Sequence, residues 1–225
     1  MSTHLETEVE DIPTIGAKAA GRPRACEVMA RTRELIRTAG YLFLKHGYAK
    51  VSLEMIAREA HVAVRTIYVK FGGKAGLLGE VMVANRDRFF NPRDMETDQR
   101  PVKHVLDDFS THLLDLISAP DVVTLKRMVI TEAPANPDLA QAFYAAGPKQ
   151  TRDMLARYFA RPDVRAQLRD DIEIALLPSH LLNCISGDQL AYYLFEPEPQ
   201  PREEVLRELG QRLRLFYVAA LRNPD

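Results

Sequence analysis

The chain is expected to be all-α: a small basic helical module joined to a larger helical body. Three observations predict this. Apolar residues recur at i, i+3, i+4 and i+7 along most of the sequence, and no stretch shows the strict alternation of a half-buried strand. Two short amphipathic runs, LEMIAREA and AVRTIYVKF, are separated only by His61-Val62, a connection tight enough for a helix-turn-helix. Charge is divided unevenly: twelve basic residues face four acidic ones between Lys18 and Lys74, although all 225 residues together carry a net charge of −1. A basic head on an acidic body fits polyanion binding at one end of the molecule.

Taken in order, residues 1–20 offer few large apolar groups and no period, so a disordered tail is expected there. The segment is acidic and lacks the apolar core of a secretory signal. Gly21 and Pro23 keep Lys18, Arg22 and Arg24 out of a helix. This basic arm either follows a phosphate backbone or is an ordinary charged tail. A long helix from Ala25 to His46 carries Ile36, Ala39, Gly40 and Phe43 on one stripe, and Gly47 closes it as a left-handed cap. Ser52 is placed to cap the next helix. Ile56, Ala57 and Ala60 form its inner face, continued past the turn by Val62, Ile67 and Phe71. The second helix then presents Arg65, Thr66, Tyr68 and Lys70 as hydrogen-bond donors on the other side. After the break at Gly72-Gly73, a helix runs from Ala75 to near Phe90. Lys74 opens it, an unfavourable place for a cation that a bound phosphate would resolve. Asn91-Pro92 and Arg100-Pro101 bracket a polar loop.

The body reads as helices divided by proline. Val102 to Ile117 carries Val105, Leu106, Phe109 and Leu113; beyond Pro120, with Asp121 as cap, a second runs to Ala133. Pro134 to Pro137 is a turn. Asp138 to Phe159 is one long helical pattern that Pro148 should kink or split. Arg161 to Arg169 is a polar connection with one short helix. Ile172 to Phe195 holds the densest apolar run and stops at the Pro-Glu repeat before Pro201. A last helix from Arg202 to Leu221 carries Leu209, Leu213 and Phe216. Two such apolar helices side by side invite self-association, with burial inside one chain as the alternative.

Several of these pieces occur together in one known family. GRPR, LFLKHGY, SLEMIAREAHVAV and RTIYVKFGGKAGLL, in order and at the right spacing, resemble the DNA-binding domain of the TetR family of bacterial transcription regulators. The most specific part is Thr66-Ile67-Tyr68-x-x-Phe71 followed by Lys74. The resemblance implies a helix-turn-helix domain over 21–74 and a helical effector-binding and dimerisation domain over 75–225. It also implies a homodimeric repressor released from double-stranded operator DNA by a small-molecule effector. Tyr68, Lys70 and Lys74 then fall at phosphate-contacting positions. By their own chemistry and placement, Ser52 can also donate to phosphate, and Arg65 and Thr66, near the start of the second helix, are placed to read base edges. Three places depart from the family pattern. Ala63 and Val64 replace polar residues, which thins direct readout at the start of the second helix. Lys70 stands where a histidine or tyrosine is frequent, keeping phosphate affinity without ring stacking. Glu54 replaces a base-reading arginine of some relatives in the first helix, where it accepts from a cytosine amino group or makes no contact. Rival readings are a regulator of the same fold governed by a protein partner or by no effector, and a helical enzyme.

Nothing in the sequence argues for catalysis, a cofactor or a metal site. The six histidines are scattered outside any HExxH or HxH context, and there is no phosphate loop and no GxSxG. Asp107-Asp108 and Asp170-Asp171 point to different helical faces and read as solvated charge. Cys26 and Cys184 lack any CxxC spacing and read as free thiols in a reducing, cytoplasmic home, a regulatory disulfide between them or across a dimer being the alternative. No apolar run of about 18 residues is present to cross a membrane. Polar residues within apolar runs are either satisfied core groups or pocket anchors. The candidates for an effector pocket are His112, Arg127, Tyr144, His180, Asn183 and Asp188, with Thr111, Tyr192 and Tyr193 beside them.

Overall fold

Glycine and proline divide the helices much as the periodicity predicts. The structure is a computed structural model that describes residues 25–188, 191–192, 195 and 200–223. The expected tail over 1–20, the basic residues Lys18, Arg22 and Arg24, and Tyr193 lie outside the described residues. The head is formed by α1 (Ala25–His46), α2 (Leu53–Glu59), α3 (Val64–Phe71) and α4 (Lys74–Asp87). The segment expected as a loop contains a short helix, α5 (Pro92–Thr97). Its cause is local: the Asn91 side chain accepts from the Arg93 amide and Pro92 supplies a pre-set first turn.

The body continues with α6 (Val102–Ser118), α7 (Pro120–Glu132) and α8 (Pro137–Tyr144). Asp121 is not the cap of α7: Ala119 holds that place with Pro120 first in the helix, and Asp121 pairs with Arg88 instead. Pro148 splits the next helix as expected. A π-turn over Ala145–Lys149 separates α8 from α9 (Gln150–Ala160), absorbing the ring and the missing amide. After α10 (Pro162–Arg165) come α11 (Leu177–Ser186) and α12 (Arg202–Ala220). The helix α11 ends at Gly187, φ +46°, where Arg212 lies against the backbone. No strand occurs among the described residues, only an isolated bridge between Leu168 and Leu221.

Two apolar cores result. One joins α6, α9, α11 and α12 through Leu106, Leu155, Phe159, Leu181 and Phe216. The other fills the head with Leu35, Phe43, Ile56, Ile67, Leu77 and Leu78. This head core does not stop at residue 74. It takes in Leu125 and Val129 of α7 and Leu139 of α8, so the head rests on the body through continuous apolar packing.

The junction of α3 and α4 depends on one small residue. A Cβ added at Gly76 would overlap the carbonyl oxygen of Phe71, which is backbone and cannot swing away. Alanine normally favours a helix over glycine by about 1 kcal/mol. Here the overlap reverses the sign, and Gly76→Ala should destabilise by about 1–3 kcal/mol. The check is urea unfolding: a lower midpoint at unchanged slope is expected. A midpoint at or above the parent's would mean that α3 and α4 do not meet this closely.

Candidate nucleic-acid interface

The helix-turn-helix is set by three local features. Ser52 caps α2, its Oγ accepting from the Met55 amide at 3.2 Å. His61 then adopts φ +53°, a left-handed conformation that turns the chain sharply, and the Val62 amide donates back to Ala57 O at 2.9 Å. Ala63 precedes α3 with no side-chain cap, leaving the first amides of that helix open. Ile67 is completely buried and Phe71 half-buried, so the opposite face of α3 is turned to solvent. Arg65 lies on that face, Tyr68 and Lys70 are exposed at its margins, and Thr66 is half-buried beside them. Lys70 Nζ also donates to Thr32 Oγ1 of α1 at 2.5 Å. Glu54 stays at its own helix start, where the α2 backbone and the Ser52 hydroxyl hold its carboxyl below the usual range.

Sequence reasoning missed Val69, which is 75 % exposed on the presented face. The signal was available: Val69 lies four residues after Arg65 and three after Thr66, so helical spacing places all three together. Such an exposed β-branched residue is costly in water and suited to a thymine methyl.

Lys74 departs from expectation. Its ammonium is turned inward, donating to Tyr48 O at 2.9 Å and Val51 O at 3.0 Å and lying 4.1 Å from the centre of the Tyr48 ring. Burial lowers its pKa, opposed by the carboxylates of Asp138 and Glu132. The cation at this helix start is thus held by two carbonyls of its own chain, and the fields of Asp138 and Glu132 favour its charge. Around it the body grips the α1–α2 turn. Glu132 of α7 accepts from the amides of Tyr48 at 3.1 Å and Ala49 at 2.6 Å, one through each oxygen. The Tyr48 hydroxyl donates to Asp138 of α8 at 2.7 Å. Gly47 makes the approach possible: it has φ +82°, and a Cβ there would sit 2.5 Å from Glu132 Oε1.

Beneath the head lies a cavity of about 270 Å³ bounded by α4, α6, α7, α8, the π-turn, α9 and α11. None of the six residues expected to anchor an effector lines it. His112, Arg127, His180, Asn183 and Asp188 are exposed at the surface of the chain. Tyr144 is exposed too, and only its hydroxyl, accepting from Arg152 at 2.8 Å, connects it to the cavity wall. The polar groups that do line it are Arg86, Asn85, Lys126, Thr151, Arg152 and Ser186. Lysines and arginines on amphipathic helices read from sequence as solvated charge, which is why they were passed over. Among the described residues no His, Cys, Asp and Glu cluster suits a metal, and no helix is long and apolar enough to cross a membrane.

An exposed recognition helix on a helical body defines a DNA-binding protein of the helix-turn-helix class. Known families agree. Residues 32–81 match the model for bacterial regulatory proteins of the tetR family, and residues 104–219 match that of the AefR-like transcriptional repressor C-terminal domain. The chain belongs to the TetR family of transcription regulators. No curated protein sequence matches it. Among solved structures it is similar to a TetR-family regulator from Mesorhizobium loti, at 22 % identity and TM-score 0.67 over 86 % of this chain and 98 % of that one. It is also similar to the flavonoid-responsive regulator FrrA, at 24 % identity and TM-score 0.64 over 87 % and 99 %. A third is NalD of Pseudomonas aeruginosa, secondary repressor of the MexAB-OprM multidrug efflux pump. It shows 20 % identity and TM-score 0.61 over 88 % and 98 %. At these identities the structures establish the fold.

Glu132→Ala removes both acceptors from the Tyr48 and Ala49 amides. Because the carboxylate is partly exposed, the expected loss is about 1–2 kcal/mol, read by thermal or urea unfolding. Glu132→Gln, which keeps one acceptor oxygen, should fall between the two. Unchanged stability in Glu132→Ala would remove the grip from the account of this fold.

Proposed function

We propose that this chain is a homodimeric repressor of a near-palindromic operator, released when a small molecule enters the cavity beneath the head. One observation carries the link between the sites: Met82, Leu125 and Phe143 line the cavity and also pack in the head core. A ligand that pushes on these side chains pushes on the support of α2 and α3. Its differential affinity for the two head positions then lowers DNA affinity by the same coupling energy. Two similar structures carry matching descriptions, one a repressor and one flavonoid-responsive, which supports the reading by analogy.

On DNA, Arg65 pairs with a guanine edge and the methyl groups of Thr66 and Val69 meet thymines. Ser52, Tyr68 and Lys70 contact phosphates and set register. Lys74 holds the α1–α2 turn, and through it the pitch of α3. The dimer places two copies of α3 ~34–36 Å apart, one helical turn of DNA. Its interface forms on α11 and α12, where Leu215 is 74 % and Val218 58 % exposed on the face turned away from the core.

Fluorescence anisotropy on operator DNA, obtained by selection from random duplexes, tests the DNA assignments. Lys70→Ala should weaken binding to every sequence and reduce the salt slope by about 0.9. Tyr68→Phe should weaken it without changing that slope, since no counterion is displaced. Arg65→Ala should also relax discrimination at one base pair, by about 1–3 kcal/mol. If all three bind like the parent protein, α3 is not the reading helix. Leu215→Glu tests the interface: light scattering should report a monomer, with operator affinity falling in step. A dimer that survives this change would place the interface elsewhere.

A further inference from the structure

The cavity has a sign. Its wall is mainly apolar, from Leu113, Ile117 and Phe143 among others, and it contains Arg86, Lys126 and Arg152 but no carboxylate. The three cations are not equally satisfied. Arg86 gives Nε and one terminal nitrogen to Asp87 and the other terminal nitrogen to Gln150, so its charge is balanced. Among the described residues Arg152 meets only a neutral partner, the Tyr144 hydroxyl, and its buried Nε has no hydrogen-bond partner there. Lys126 has no hydrogen bond or ion pair among the described residues, and burial alone lowers its pKa, with no acidic neighbour opposing the shift. Two uncompensated cations beside apolar walls are an expensive arrangement, and it is resolved by an anion that brings its own apolar surface.

We propose that the cavity binds an organic anion with an anionic oxygen head and a compact apolar body, the head at Lys126 and Arg152 and the body against α6 and Phe143. This names the ligand class for the effector site and rests on that reading of the cavity. The π-turn fits such a role. It brings Gly147 so close to α4 that a Cβ there would lie 2.8 Å from Met82 Cε, and Ala146, Gly147 and Pro148 form one wall. The volume, about 270 Å³, lies near the lower end of the range of small-molecule sites, about 300–1,000 Å³, which favours a small body. Arg152 supplies direction, through a guanidinium that pairs with two oxygens, and Lys126 supplies charge.

The test uses sets of probes that share a body and differ in charge: octanoate, octanol and octylammonium, then 1-naphthoate, 1-naphthylmethanol and 1-naphthylmethylammonium. Binding to the full-length dimer is measured by titration calorimetry. The anion of at least one set should bind ten-fold or more tightly than its neutral and cationic counterparts. Lys126→Met and Arg152→Met should each cut anion affinity at least ten-fold and leave neutral-probe binding unchanged. Lys126→Met should unfold at an equal or higher temperature, because it deletes a cation that burial already disfavours; this keeps loss of binding distinct from loss of folding. Neutral or cationic probes binding as tightly as the anions, the absence of any anion binding, or wild-type anion affinity in Lys126→Met would overturn the proposal. Operator release is scored separately. Anions that bind with this ranking but leave operator affinity unchanged would sink the effector reading and spare the site. Release by neutral or cationic probes alone would do the reverse.

Discussion

The carboxylate of Glu132 is the contact on which the placement of the DNA-binding head depends. It sits at the end of α7 and reaches across to two successive backbone amides of the α1–α2 turn, which no other group satisfies in the same way. The turn in turn supplies the two carbonyls that hold Lys74 at the start of α4. Helix α4 therefore begins on a cation held by two backbone carbonyls of the turn, with the fields of Asp138 and Glu132 on the body side favouring its charge against burial, and its own first turn contains no acid. Charge-assisted bonds of this kind are about twice as strong as neutral ones, but these are partly open to water and are discounted accordingly. Gly47 completes the arrangement, since its left-handed backbone and missing Cβ let the carboxylate in.

Apolar packing sets how far that polar contact can move. The head core closes on Leu125, Val129 and Leu139 of the body, so α1 and α4 cannot shift without disturbing α7 and α8. The close approach of Gly76 to Phe71 fixes α3 to α4 as rigidly. Interiors packed to this density transmit displacement instead of absorbing it. The weak place is the π-turn, where Pro148 interrupts the helical ladder next to the cavity and α4 runs past it. A molecule with one well-packed seam and one interrupted helix has few ways to deform, and the cavity lies between the two.

The sequence showed the helices well because their causes are local. The bounds of α1, the Ser52 cap, the left-handed Gly47 and the break at Pro148 each follow from residues within a few positions. The exposure of Arg65, Tyr68 and Lys70 was legible for the same reason, once Ile67 was assigned to the core. What could not be read were contacts between distant parts of the chain. Glu132 meets Tyr48 from 84 positions away, and a charged residue at a helix end looks the same whether it faces water or a turn. Lys74 was recognised as an oddity, correctly, but electrostatics alone does not say which partner cures it. Periodicity separates a buried face from an exposed one, yet a cavity between helices is lined from the margins of both. That is why His180 and Asn183, set within an apolar run, lie at the surface while Lys126 and Arg152 face inward.

The magnitudes bear on how such a protein could switch. Moving a two-state head from 1:99 to 99:1 takes about 5.5 kcal/mol of differential ligand affinity, whereas couplings between sites are usually about 1–3 kcal/mol. A head held by a large apolar interface alone would be too firmly seated for a small ligand to shift. A head held only by solvent-exposed ion pairs would have no defined position to leave. The seam described here is intermediate. On the proposed effector reading, the shared residues Met82, Leu125 and Phe143 would give a ligand mechanical access, and the Glu132 contact is of the same order as a typical coupling. On that reading, a ligand that disfavours the Glu132 contact while displacing the shared side chains biases the pitch of the turn, and of α3 packed on α4, without undoing the apolar core.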